Sequence, residues 1–235
     1  TPLRGGQPVL VLRSSGAGDA RDLLDAGVDL LVTDDPAALS YAADRPGTTA
    51  TPLPWDRTYV LLGVAGVPGI SDVQRVGLAR DAVRVAARPA TAAPQFWWFA
   101  FESCRGAPPP FAGSSLSGSS RGSLAYADDD RPARDLAERL VALGTVGLVS
   151  TRALGVPASD FAVALAAGGL SHYVVSLPRA ALDPCAEVRR LLLRAPWLAA
   201  AGAGLEPLVD TRRHVIVRRG AAAFTVDWDG ILRVR

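Results

Sequence analysis

Apolar positions gather first into a compact run, Val9–Leu12, then take helical spacing over Ala20–Ala26. A second run, Val28–Val32, is followed by another helical stretch from Pro36 through Leu39 and Tyr41 to Gly47. Short continuous apolar runs read as buried strands, and apolar residues three or four apart read as one face of a helix. The connecting segments fit that alternation. Ser14-Ser15-Gly16-Ala17-Gly18 is a loop, Asp19 stands where a helix cap is wanted, and Gly27 supplies the stop. Thr33-Asp34-Asp35 ends the second strand, and Pro36 suits a first helical turn. This βαβα order predicts a parallel sheet with helices on its faces.

From Thr51 the pattern changes. Pro52 and Pro54 forbid helix, and Trp55–Val67 is a long extended run, long enough to leave one lobe and enter another. Gly66–Gly69 makes a turn, Val73–Val83 has helical spacing, and Val83–Ala87 reads as a short strand. Phe96–Phe101 is an aromatic run, and Ala107–Ser123 is a Pro-, Gly- and Ser-rich loop that adds nothing to a core. A strongly amphipathic helix is predicted over Arg131–Leu143, then a strand at Val146–Val149 and a helix over Pro157–Ala167 stopped by Gly168-Gly169. Tyr173–Leu177 is a strand, Ala186–Arg194 a helix, and the strands His214–Arg218 and Phe224–Val226 close the chain. The expected class is α/β.

Composition narrows the function classes. Of 235 residues, 49% are hydrophobic and 20% charged, so a packed globule is expected. All 25 basic residues are arginine, scattered among 23 acids for a net charge of +2. Nucleic-acid binding needs a concentrated cationic stripe, which these scattered arginines do not form, so no nucleic-acid partner is expected. No apolar run is long enough to span a bilayer. The two cysteines, Cys104 and Cys185, would form one bridge in an oxidising compartment or act as two small buried hydrophobes. A start at Thr1-Pro2-Leu3 fits either a mature form that has lost a leader or a piece of a longer protein.

Catalytic chemistry finds little support. Gly16-Ala17-Gly18 between a strand and a helix, with Asp34 ending the next strand, approaches a dinucleotide fingerprint. Arg21 occupies the place of its third glycine, so no cofactor is expected. There is no Gly-x-Ser-x-Gly elbow, and His172 and His214 are the only histidines. No metal-ligand spacing occurs, and Asp34-Asp35 and Asp128-Asp129-Asp130 read as carboxylates at helix starts.

Several segments, taken in order, resemble the bacterial extracellular solute-binding proteins that serve peptide and nickel ABC transporters. They are Leu23-Leu24-Asp25-Ala26-Gly27-Val28-Asp29 through Asp35-Pro36, the strand Thr58–Val64, the helix Asp72–Val83, and the later helix Ala133–Leu143. Tyr173–Leu177 with Leu182-Asp183-Pro184, then Pro207-Leu208 and His214–Arg218, complete the series. Two features differ from the family. Its long N-terminal section is absent here, and the acidic residue that its peptide binders place shortly before Asp-Pro is replaced by Arg179, Ala180 and Ala181.

The resemblance implies a type II periplasmic-binding-protein-like fold, two lobes joined by crossover strands. Residues 1–57 and 206–235 would form lobe one and 58–205 lobe two, with a small-molecule ligand in the cleft. Ser14, Ser15, Asp34, Arg57, Tyr59, Trp98 and Arg179 are the expected ligand contacts, and the two arginines favour an anionic group. The implied setting is periplasmic or extracellular, as a monomer serving an ABC permease and lipid-anchored through a segment not present here. A ligand-sensing domain of a regulator, a nucleotide-dependent enzyme using Gly16-Ala17-Gly18, and a scaffold acting through protein contacts are the competing readings.

Overall fold

The computed structural model describes residues 18–67, 69–87, 122–144, 151–179, 184–200, 203–221, 224–227 and 232–234. The expected strand Val9–Leu12, the aromatic run Phe96–Phe101, the strand Val146–Val149 and Cys104 lie outside them.

The first unit is a three-stranded sheet carrying two helices. Helix α1 (Ala20–Asp25) is capped by Asp19, whose carboxylate accepts from Arg21 N, and the chain turns out of it at Gly27 with φ +78°. Strand β1 (Leu30–Thr33) leads to α2 (Pro36–Asp44), capped by Asp35 accepting from Ala37 N at 2.8 Å. Strand β2 (Thr48–Pro52) follows. Ala20, Leu24, Leu31, Ala38, Leu39, Ala42 and Ile216 form this unit's own core.

The second unit is a five-stranded mixed sheet. Its strands are β3 (Arg57–Gly63), β4 (Ser123–Ala127), β5 (Arg152–Val156), β6 (His172–Pro178) and β7 (Gly204–Thr211), in the order β5-β4-β6-β3-β7. β3 lies between β6 and β7, antiparallel to both, and six of its seven residues are buried. On one face, Tyr59 and Leu61 pack with α3 (Asp72–Leu78) and α4 (Arg131–Ala142), whose Ala133, Leu136, Ala137 and Leu140 point inward. On the other, Val60 and Leu62 pack with α5 (Ala158–Ala167), α6 (Pro184–Arg194) and the short 3₁₀ turn Pro196–Ala199. Gly168 ends α5 at φ +65°, where an added Cβ would lie 2.9 Å from the Trp197 ring.

Strand β8 (His214–Arg218) returns to the first unit, and β9 (Phe224–Val226) pairs with β10 (Leu232–Val234) as a separate antiparallel hairpin. Cys185, at the start of α6, is disulfide-bonded.

The parallel sheet expected from the opening βαβα order does not form around β1. β8 inserts between β1 and β2 and runs antiparallel to each, so a strand from the far end of the chain takes the position a parallel neighbour would have held. Among the described residues, parallel pairing occurs only where β4 meets β5 and β6. The expected strand Val83–Ala87 is also corrected. A π-helical turn (Ala79–Val83) runs into a 3₁₀ turn (Arg84–Ala86), leaving one isolated bridge between Ala87 and Thr211. Arg84 enters that 3₁₀ turn at φ 48° and ψ −127°, the one positive φ outside glycine among the described residues. Such backbone costs about 1–3 kcal/mol and persists only where its surroundings enforce it.

Candidate functional site

Two segments connect the units, 53–56 from β2 to β3 and 212–213 from β7 to β8. They run side by side. Leu53 N donates to Arg213 O at 2.9 Å, and Asp56 N donates to Thr211 O at 3.2 Å. The Arg213 guanidinium bonds the Asp56 carboxylate at 2.9 Å, and Arg212 lies over the Trp55 ring, 4.2 Å from its centroid. The boundary expected at 206 falls inside β7, which pairs with β3 along its length, so the return crossing comes at 212–213.

Beside these crossings the units face each other across an open groove of about 810 Å³. Ser40, Tyr41 and Asp44 of α2 line one wall, and Asp135, Glu138 and Arg139 of α4 line the other. At one end the two helix starts are tied together, because Arg131, the first residue of α4, pairs at 2.8 Å with Asp35, the cap of α2. Both of these helices are capped by a carboxylate, Asp35 for α2 and Asp130 for α4, so both starts bring negative charge to this point.

The structure places the expected contacts unequally. None of the expected contacts among the described residues, Asp34, Arg57, Tyr59 and Arg179, lines the groove. Asp34 directly follows β1 and is exposed. Its pKa is raised above the usual 3.8, first by desolvation and then by the Asp130 and Asp56 carboxylates, with Arg57 opposing. Arg57 is exposed and donates to Ser176 Oγ at 2.9 Å. Tyr59 shares the Arg57 face of β3, as strand alternation predicts, but is only 2% exposed. Its hydroxyl donates to Asp130 at 2.8 Å, while Asp130 also accepts from Ala133 N to cap α4. Tyr59 thus props the α4 cap from inside the core, and burial pushes its own pKa up. Arg179 is mostly buried, 3.8 Å from Asp210, with its backbone N–H on Asp56 O. Ser14, Ser15 and Trp98 lie outside the described residues, as do Gly16 and Ala17.

The sequence reading missed the Asp35–Arg131 tie and Arg84. Asp35 and Asp130 each stand at a helix start, as their sequence positions predict, but nothing in the local pattern says that the two starts meet. Among the described residues no His, Cys, Asp and Glu side chains group as a metal site, and no helix is long and apolar enough to cross a membrane.

A carboxyl whose folded pKa is raised favours folding below its unfolded pKa and loses that contribution as pH rises through the folded value. Asp34→Asn, which cannot ionise, is therefore expected to melt slightly above wild type at neutral pH, a small margin because the side chain is exposed. That margin should close as the pH falls below the ordinary carboxyl value. Melting curves from pH 3 to 8 test this; a wild type more stable than the variant at neutral pH contradicts it.

No protein-family model matches this sequence, and no curated protein matches it. Solved structures do. NikA from Staphylococcus aureus in complex with Ni(L-His)2 aligns with TM-score 0.50 and 12% identity over 89% of this chain and 57% of that one. NikA from Brucella suis in complex with Fe(III)-EDTA gives TM-score 0.49 and 11% identity over 91% and 59%. The periplasmic oligopeptide-binding protein OppAIV from Borrelia burgdorferi gives 0.49 and 10% over 88% and 52%. This chain spans less than two thirds of the length of each. It has an α/β, type II periplasmic-binding-protein-like fold, as the Staphylococcus aureus structure does.

Proposed function

We propose that the chain binds a small solute in the groove between its two units and hands it to an ABC-type importer from the periplasmic or extracellular side of a bacterial membrane. One observation carries this reading. Two sheet units, each with a core of its own, are joined through two short, mutually hydrogen-bonded segments beside an open groove. Such a connection lets the units swing about the crossings, and a solute touching both walls favours the closed arrangement. In this reading lobe one begins and ends the chain, and lobe two is the middle, with the return crossing at 212–213. The groove's volume suits a small molecule. Binding, rather than catalysis, is the role, and the protein acts as a monomer.

The fold's solved relatives supply a first panel. Ni(L-His)2, Fe(III)-EDTA, oligopeptides, amino acids and organic anions are screened by thermal shift, alongside native mass spectrometry of gently purified protein. At least one solute should raise the melting temperature and bind with one-to-one stoichiometry. A protein that co-purifies with nothing and answers to no solute class contradicts the proposal.

A further inference from the structure

We propose that Arg84 is the oxyanion clamp of the groove, holding a carboxylate or phosphate group of the solute; this rests on the groove being the solute site. Four arginines line it, and three are engaged. Arg21 bonds Asp19 at 2.5 Å, Arg131 bonds Asp35 at 2.8 Å, and Arg139 bonds Asp81 at 2.8 Å. Arg84 has no hydrogen-bond or ion-pair partner among the described residues.

Its backbone supplies the second observation. A positive φ with ψ −127° suits glycine, because a Cβ crowds the chain there. A π-helical turn, an irregularity that often marks functional sites, delivers the chain into this conformation. The far side is fixed to the crossing: Arg212 N donates to Ala86 O at 3.0 Å, and Ala87 bridges Thr211. A strained, exposed arginine that lines the groove and is anchored to the crossing is arranged for recognition rather than stability. The planar fork takes a carboxylate or phosphate through two parallel hydrogen bonds. Asp44 and Glu138 line the same groove and favour a cationic centre elsewhere on the solute.

Inorganic phosphate and succinate are titrated separately into the full chain, into Arg84→Gly, and into Arg219→Ala, which removes an exposed arginine outside the groove. Wild type should bind at least one probe, and which one distinguishes the phosphate source from the carboxylate. Arg84→Gly should weaken that binding about tenfold to a hundredfold while melting at or above the wild-type temperature. Arg219→Ala should bind as wild type does. Equal weakening by both variants reduces the effect to net charge and overturns the proposal, as does a destabilised Arg84→Gly that binds normally. If wild type takes neither probe but answers to a neutral or cationic solute in the thermal-shift screen, the clamp is wrong while the binding function stands. If it answers to nothing, both fall.

Discussion

Asp210→Ala is expected to destabilise the protein by about 3–5 kcal/mol, because it strips the carboxylate from a buried polar cluster. Asp210 is 3% exposed at the end of β7, accepts from Thr58 Oγ1 at 2.7 Å, and faces the mostly buried Arg179 at 3.8 Å. Without it the guanidinium stays desolvated in a site built around opposite charge. Thr58→Val should cost less, about 1–3 kcal/mol, since it removes a neutral donor. Urea denaturation measures both, and the double variant Asp210→Ala/Arg179→Ala should cost less than the sum of the single changes. A loss below about 1 kcal/mol for Asp210→Ala, within the range of an exposed pair, would contradict this account. The result also bears on Arg179. The sequence suggested a ligand contact there, whereas its placement leads one to expect that Arg179→Ala lowers the melting temperature.

Tyr173→Ala is expected to cost a similar amount, about 3–5 kcal/mol, from the aromatic core on the Val60 and Leu62 face of the sheet. Tyr173 is fully buried on β6, edge-on to Phe161 with ring centroids 6.0 Å apart and tilted against Trp197 at 5.8 Å. Its hydroxyl donates to Ala164 O at 2.7 Å and accepts from Leu170 N at 2.9 Å, tying down the end of α5. Trp197 adds a bond from Nε1 to Leu165 O at 2.6 Å. Alanine loses the aromatic packing and both bonds; Tyr173→Phe keeps the ring and should cost about 1–3 kcal/mol. If the two variants are equally destabilised, the hydroxyl rather than the packing holds this corner, and the description of that core is wrong.

Much of the fold was legible because each helix carries its own punctuation. Asp19 and Gly27 bracket α1, Asp35-Pro36 opens α2, and the strong amphipathic pattern of α4 starts after Asp130. The strands that escaped prediction lack that punctuation. Ser123–Ala127 follows a long Gly- and Ser-rich stretch and was read partly as loop, although Leu124 and Ala125 are fully buried. Gly204–Thr211 contains Pro207, which argues against a strand. It is tolerated because β7 is an edge strand, with a bulge where Tyr59/Val60 face Val209/Pro207. Pairing partners were the least legible feature. The insertion of His214–Arg218 between β1 and β2 joins segments far apart in sequence, and no local pattern encodes it. The groove shares that character, since its walls come from α2 and α4. Asp34 and Arg57 stand out in the sequence as polar residues beside a long extended run, and neither lines the groove. Arg84 could not be found, because its distinction is a backbone angle.

The most direct test of a hinged solute-binding groove is the distance across it. Spin labels at Ser40 of α2 and Glu138 of α4, both groove-lining and exposed, report that distance by pulsed electron resonance. The free protein should show a broad distribution reaching long separations. Adding the solute that raises the melting temperature should collapse it onto one shorter distance. A single separation, unchanged when that solute is bound, would contradict the account.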